Sequence, residues 1–538
     1  MSESTDITTE QAGGAEDIHR LEAQRRENLA KVAALGVRPF GQRTDGLVPL
    51  AEARSLYDEK ADADHQAKKN EPGFTDRRPV VRVAGRVMLH RDNGKLIWLQ
   101  LRDHSVDGVE GHGDLQIAVS KKDCDETGFN LAKVVDLGDI VIAEGPLMKT
   151  RTGEVTIWAS RLAMGAKSLA PPPEKWSGLQ DKEVRYRKRY IDLYANPDSM
   201  RVAKMRPQII SRIRRFLDGR GFLEVETPVL QPQAGGAAAR PFLSHLNALD
   251  MPVVMRIATE LHLKRLMVGG MPKVYEIGRI FRNEGVDRSH NPEFTSVEVY
   301  EAFGDSGTMM ELTESLIREL AHWVAVTTAD ADVETEDIDP AQVRLPYGDL
   351  SIDYGSPFRR VSYAELFENA LGFPMTDAKR AREVAKQKGL KHEGLADILI
   401  VNEVFEEVAE ATLDPQQPTF VTDYPAALSP LTRPDPDNPA VAQRWDLFIA
   451  GMEIGPAYTE LNDPDIQAEK FREQLQGMDD EETAFRAFDE DFIEALKVGM
   501  PPAGGLGLGI DRLVMLLTNQ QSIRDVILFP FMRPLDRP

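Results

Sequence analysis

The chain has 538 residues, enough for two or three domains with separate cores, so its length does not favour an unfolded or peptide-like protein. Its 65 basic and 87 acidic residues leave a net charge of −22, which argues against nucleic-acid binding through overall basicity but leaves room for local basic tracts. One cysteine, Cys124, excludes a disulfide framework or a CxxC zinc site. The polar start MSESTDITTE has no apolar export segment and no apolar run approaches the roughly 18 residues of a membrane span, so a soluble protein of the reducing cytoplasm, with no membrane partner, is expected.

Residues 1–17, rich in Ser, Thr, Glu and Gly, have the composition of a disordered tail. Residues 18–74 read as a helical extension. In its first part Ile18, Leu21, Leu29, Val32 and Leu35 fall at helical spacing, with Arg20, Arg25, Arg26 and Lys31 between them. Such a helix either packs on the next domain or touches RNA backbone. Between residues 75 and 170 the pattern changes to five alternating runs, VRVAGRVML, KLIWLQL, DLQIAVS, DIVIAEGPLM and EVTIWASRL, parted by Gly and Asp turns. Five short strands predict a small OB-type β-barrel, a fold that binds single strands by stacking bases on aromatic rings. Trp98 and Gln116 are its candidate base contacts, although a strand tryptophan is more often core than platform.

LAPPPEKW opens a connector over 171–200. The rest, 201–538, reads as one α+β domain with an acidic insertion at about 326–345. It begins with a helix from about Ser199 to Arg220, striped by Ile209, Ile213, Phe216 and Leu217 and ended by Gly221.

Four segments of this domain carry chemistry. GFLEVETPVL (221–230) is a strand whose Pro228 suits only an edge or an end. VYEIGRIFRNEGVDRSHNPEFTSVEVY (274–300) reads as two strands around a polar loop. Period-two alternation puts Arg282 and Glu284 on one face of the first, and Phe294, Glu298 and Tyr300 on one face of the second. Buried unpaired charges cost several kcal/mol, about 3–5, so a face mixing such charges with aromatic rings should look into a polar ligand pocket. WDLFIAGMEIGPAYTELND (445–463) reads as a hairpin turning at Ala450 and Gly451, which brings Asp446 and Glu453 together as hard oxygen donors for Mg²⁺. GGLGLGIDRLVML (504–516) reads as glycines entering a helix. Arg512 in its first turn is disfavoured by the helix dipole unless an anion lies nearby.

Taken in order, GFLEVETPVL, FRNE with its loop and EF, and GLGLGIDR resemble motifs 1, 2 and 3 of class II aminoacyl-tRNA synthetases. With the N-terminal barrel, the chain resembles the subgroup serving Asp, Asn and Lys. GGAAARPF (235–242), ELHLKRL (260–266), RNEG (282–285), HNPEF (290–294), YTELND (458–463) and the closing RDVILFP look like the lysyl-tRNA synthetase family. The resemblance runs from about residue 18 to the end. It implies a class II antiparallel-sheet catalytic domain behind an OB-fold anticodon-binding domain, working as a homodimer through motif 1. The partners implied are ATP, lysine and tRNA(Lys), with Mg²⁺, up to three ions, and no DNA.

Carried over position by position, the resemblance implies that Arg282 grips the α-phosphate, Glu284 meets the adenine amino group and Phe294 stacks on the ring. It implies that His290 and Arg512 hold the outer phosphates, and that Asp446 and Glu453 hold Mg²⁺. Gly236 and Glu260 would bind the lysine α-amino group, Tyr458 would flank the stem, and Tyr300 with Glu460 would meet the ε-ammonium, Glu298 lining the same pocket. Trp98, Gln116 and Glu154 would read the anticodon. Arg282 and Arg512 are the catalytic candidates. The sequence departs from the family pattern at Asp446, where Glu is usual, and at Pro456, where an Asn amide would help hold the substrate carboxylate. Two other readings stay open: a paralogue using a lysine analogue, and a non-catalytic RNA-binding paralogue.

Overall fold

The computed structural model describes residues 7–105, 114–172, 179–237, 239–329, 338–476 and 488–535, with side chains from residue 20 onward. It divides into two compact units, residues 1–201 and 202–538. Residues 173–178, the second half of LAPPPEKW and the two that follow, and the centre of the acidic insertion lie outside the described residues.

The first unit is built on strands β1 (Val80–Asp92), β2 (Leu96–Arg102), β3 (Leu115–Ser120), β4 (Ile140–Lys149), β5 (Val155–Trp158) and β6 (Arg161–Ala166). The sheet order β1-β2-β3-β5-β4 closes on itself because β4 also pairs with β1, which gives the five-stranded barrel. The run expected as one fifth strand breaks at Ala159 and Ser160, and its second half, β6, pairs farther along β4. One side of each strand fills the interior: Val83, Ile97, Leu99, Ile117, Val141 and Ile157 are fully buried. Cys124 is buried in the same core, and desolvation pushes its thiol up to about 12.

The first helix spans Ile7–Ala34, so it begins inside the stretch expected to be a disordered tail. Glu and Gln in that stretch are good helix formers, and the first turns of a helix welcome acidic residues. The helix packs on the barrel: Val32 joins the barrel core and Arg25 donates to the carbonyls of Ser168 and Leu137 at 3.0 and 2.9 Å. Arg26 pairs with Glu22 at 2.6 Å and Lys31 with Asn28 at 3.1 Å, so these basic side chains serve the fold. The stretch expected as a plain connector carries two short helices, Lys182–Arg187 and Arg189–Ala195, tied by Arg185 and Arg189 to the buried Asp192 at 2.8 and 2.5 Å.

The second unit centres on an eight-stranded sheet. In chain order its strands are β7 (Leu223–Glu224), then, beyond a small sheet of β8 (Leu230–Gln231), β9 (Leu243–Leu246) and β10 (Met251–Met255), β11 (Lys273–Phe281) and β12 (Glu293–Ala302). After a separate hairpin of β13 (Arg344–Tyr347) and β14 (Leu350–Asp353) come β15 (Arg359–Ser362), β16 (Thr419–Thr422), β17 (Arg444–Ile449), β18 (Met452–Thr459) and β19 (Ala503–Gly509). The spatial order is β15-β16-β17-β18-β19-β12-β11-β7, antiparallel except for the pairs at the two ends. Helices Pro197–Asp218, Ser306–Thr328 and Ile510–Thr518 cover one face, with Ile209, Ile213, Ile317, Leu320, Leu513 and Val514 meeting Val297, Trp445, Leu447, Leu506 and Leu508 in one core.

Candidate active site

The other face of this sheet is the cleft, and register decides what it holds. Residues directly opposite each other in a ladder share a face. Glu276, Gly278 and Ile280 of β11 lie opposite Glu298, Ser296 and Phe294 of β12, and Ser296, Glu298 and Tyr300 lie opposite Gly509, Gly507 and Gly505 of β19. Tyr458 of β18 faces Gly505, and Arg444 and Asp446 of β17 face Tyr458 and Pro456. Five adjacent strands therefore present one polar face, while the intervening residues feed the core.

Two local devices complete it. The β17–β18 register slips between Leu447 and Phe448: Leu447 pairs with Gly455 but Phe448 pairs with Glu453, leaving Ile454 as an extra residue. In an unbroken ladder Glu453 would oppose Ile449 and point into the core; the bulge turns it to the face of Asp446. The expected turn is present, with Ala450 and Gly451 both at positive φ, 53° and 72°, as a two-residue hairpin requires. The glycine run, expected as the entry to a helix, is strand β19 at the centre of the sheet, and the helix starts only at Ile510. Its glycines form the floor: a Cβ on Gly505 would lie 1.8 Å from Glu460 Oε1 and 2.6 Å from the Tyr300 ring.

A cavity of about 440 Å³ lies on this floor, within the usual size for a small-molecule site. At one end it is lined by Arg282, Glu284, His290, Phe294, Glu453 and Arg512; at the other by Gly236, Glu260, Glu298, Tyr300 and Tyr458. Arg282 lies over the Phe294 ring at 5.3 Å and donates to the Ile257 carbonyl at 3.4 Å. Arg512 donates to the Glu453 carbonyl at 2.6 Å and approaches His290 Nε2 at 2.9 Å. A guanidinium cannot accept, so Nε2 is the acceptor and the imidazole proton sits on Nδ1, 2.8 Å from Asp287. Against the cost of its own burial, the N–H of Ser289 and the ring and backbone N–H of His290 hold Asp287 down at about 2. Asp511, the sequence neighbour of Arg512, is a buried carboxylate bonded to Arg206 and to the N–H of Thr295.

The metal candidates differ. Glu453 lines the cavity, and burial followed by the charge of Asp446 pushes its carboxyl up, against Arg512 and Arg444. Asp446 stands behind the wall, 4% exposed, in a two-pronged pair with Arg444 at 2.7 and 3.0 Å. The donor set fits a divalent cation: both carboxylates are hard oxygen donors, and a cation beside Glu453 would relieve the repulsion from Asp446 that raises its carboxyl.

At the other end of the cavity, the N–H of Thr259, at the start of the Glu260–Val268 helix, donates to Glu298 at 3.0 Å. Burial, and then the charge of Glu260, raise the Glu298 carboxyl against that bond. Gly236 is at φ 82°, and a Cβ there would lie 3.2 Å from that of Glu260. Glu460 does not line the cavity: it is 1% exposed and ion-paired with Lys264, which also donates to Glu260 at 2.6 Å. Sequence reasoning missed Lys264 and Arg444. The signal was present in ELHLKRL, where Lys264 falls one helical turn after Glu260 on the same face.

Trp98, Gln116 and Glu154 belong to the barrel. Trp98 lies opposite Ala118, which lies opposite Trp158, so the two indoles meet edge-on over one small residue with centroids 6.3 Å apart. Gln116 Oε1 accepts from Thr156 at 2.8 Å, and the exposed Glu154 lies 3.7 Å from Arg54. Trp158, bonded through Nε1 to Asp123 at 2.8 Å, was not singled out from sequence.

An antiparallel sheet that offers arginines, carboxylates and an aromatic ring to one cleft over a glycine floor, encoded in a chain that also carries an OB-type barrel, is the plan of a class II synthetase. Residues 181–533 match the family described as tRNA synthetases class II (D, K and N), and 81–163 match the OB-fold nucleic acid binding domain. The chain belongs to that class II D, K and N family. Its relatives include the lysine–tRNA ligase of Enterococcus faecalis, 44% identical over 98% of this chain and 100% of that protein. Those of Cronobacter sakazakii and Dehalococcoides mccartyi are 44% and 42% identical, over 98% and 95% of this chain and 100% and 97% of theirs.

Proposed function

We propose that this protein is a lysine–tRNA ligase, which activates lysine with ATP and transfers it to the 3′ end of tRNA(Lys). The observation that carries the reading is the two-ended cavity: arginines and a stacking ring at one end, three acidic or phenolic groups, Glu260, Glu298 and Tyr300, at the other. The lysine carboxylate attacks the α-phosphate of ATP in line, pyrophosphate leaves, and the tRNA hydroxyl then attacks the adenylate. Arg282 holds the α-phosphate and meets the charge that develops at phosphorus; Arg512 and His290 hold the outer phosphates; Phe294 and Glu284 hold adenine. Glu453, with Asp446 behind it, would hold Mg²⁺, which supplies further neutralisation of the polyphosphate when bound. Glu260 and Gly236 hold the α-amino group, Tyr458 flanks the stem, and Tyr300, Glu298 and Glu460 supply the charge and hydrogen bonding for the ε-ammonium. A neutral side chain would leave these buried groups unpaired, which is the basis of discrimination.

Trp98, Gln116 and Glu154 on the barrel serve the anticodon. A homodimer is supported by Leu223, Val229 and Leu230, exposed apolar residues in the segment resembling motif 1. Among the described residues no helix is long and apolar enough to cross a membrane, which accords with a cytoplasmic enzyme.

The test is ATP–pyrophosphate exchange with lysine, ornithine, β-lysine, aspartate and asparagine. Exchange with lysine alone is expected. Ornithine and β-lysine are included because Pro456 lines the cavity without side-chain donor or backbone N–H. Preference for either would establish an enzyme for a lysine analogue.

A further inference from the structure

Lys264 is fully buried, on the Glu260–Val268 helix. Its ammonium touches two carboxylates from different elements. One is Glu260, one turn earlier on its own helix, at 2.6 Å; the other is Glu460, just beyond β18. Glu460 uses Oε2 for this contact. Its Oε1 is buried, has no hydrogen-bond partner among the described residues, and lies beside the Tyr300 ring where Gly505 leaves room for it. An unpartnered carboxylate oxygen in such a place is aimed at something the free protein does not supply.

Glu260 faces Lys264 from its own helix and Glu460 from the end of β18; Glu298 and Tyr300 of β12 and Tyr458 of β18 lie in the same surroundings, with Arg282 acting on Glu298 and Arg444 over the Tyr458 ring. Among these groups Lys264 supplies the one ammonium, in contact with two of the three carboxylates. Free lysine brings two ammonium groups. Its carboxylate goes to the other end of the cavity.

We propose that Lys264 is the internal counter-ion of the amino-acid pocket: by bridging Glu260 and Glu460 it positions both carboxylates before substrate arrives. This rests on the reading of the pocket as a lysine site. Lys264 is a positioning residue; it acts through the two glutamates and does not touch substrate. Without it, the buried carboxylates of Glu260 and Glu460 would face each other with no ammonium between them, and protonation or displacement would relieve them. Their affinity for an ammonium group would then return only as pH rises and protons are lost.

The test compares Lys264→Met and Lys264→Arg with the native protein in ATP–pyrophosphate exchange, measuring KM and kcat for lysine across about pH 6.5 to 9. For Lys264→Met the lysine KM is expected to rise at least tenfold at neutral pH and to fall again as pH increases, with kcat and the ATP KM within about threefold of native. Lys264→Arg keeps the charge and is expected to recover most of the lysine affinity. A native lysine KM in Lys264→Met, or a loss confined to kcat with a flat pH profile, would overturn the proposal. If Lys264→Met does not fold by circular dichroism, Lys264→Gln replaces it with the same expectations. Absence of lysine-dependent exchange in the native protein would instead remove the lysine reading itself, so the two failures are distinguishable.

Discussion

The carboxyl group of Glu453 is pulled in two directions. Burial and the charge of Asp446 favour its protonated form, while Arg512 and Arg444 favour the anion, and the net displacement is upward. A raised carboxyl takes up its proton above the pH of about 4.3 at which an ordinary glutamate titrates, so the anion needed to hold a cation on the nucleotide is lost progressively as pH falls. The ATP KM at fixed magnesium should therefore rise on acidification. In Glu453→Gln it should be on the order of 30-fold higher and independent of pH, since removing one partner of a buried charged contact costs about 2–5 kcal/mol. An unchanged ATP KM in that variant would take Glu453 out of the nucleotide site. The sequence reading found Glu453 from its spacing to Asp446 but not how it reaches the cleft. That depends on the extra residue Ile454, and a one-residue slip leaves no mark in composition.

At the scale of elements, β19 makes the sharpest prediction. Gly505 and Gly507 are two residues apart on the same face, yet they differ in what a methyl group would meet. On Gly505 it would strike Glu460 Oε1 and the Tyr300 ring; on Gly507 its nearest neighbour is Glu298 Cγ at 3.9 Å. Gly505→Ala should cost about 1–3 kcal/mol of stability through overpacking, seen as a lower Tm. Gly507→Ala should keep its Tm while weakening ATP or lysine on the order of tenfold, because the methyl enters ligand space. Equal Tm losses in both would mean that the floor is structural throughout. This strand was the element least legible in advance, since glycines have no side chains to display a period of two and low strand propensity. Strand β12 was legible for the opposite reason: Phe294, Glu298 and Tyr300 alternate with Thr295, Val297 and Val299, and the structure pairs them as that alternation requires, whereas Arg282 and Glu284, expected on a strand face, lie beyond the end of β11 at Phe281.

For the whole molecule, the division into residues 1–201 and 202–538 puts the proposed anticodon contacts and the cavity in different units, so a substitution in the barrel is expected to separate the two assays. Trp98→Ala should leave lysine-dependent pyrophosphate exchange unchanged and raise the KM for tRNA in aminoacylation by about 5- to 150-fold, the value of about 1–3 kcal/mol for one stacked base. An equal loss in both assays would place Trp98 in the barrel's stability instead. The barrel was visible in the five alternating runs, but the paired tryptophans were not: Trp98 and Trp158 are 60 residues apart, and only the parallel pairing of β3 with β5 brings them over Ala118.

Cys124, sealed in the barrel core with its thiol held in the protonated form, is the only cysteine of the chain. A thiolate-seeking reagent therefore meets no native target in the folded protein. A cysteine placed on the exposed side of the Ala450–Gly451 turn or on the barrel would become a unique attachment point for a fluorophore or spin label without any background substitution. The movements of tRNA and of the two units during turnover can thus be followed on a protein that needs no thiol removed beforehand.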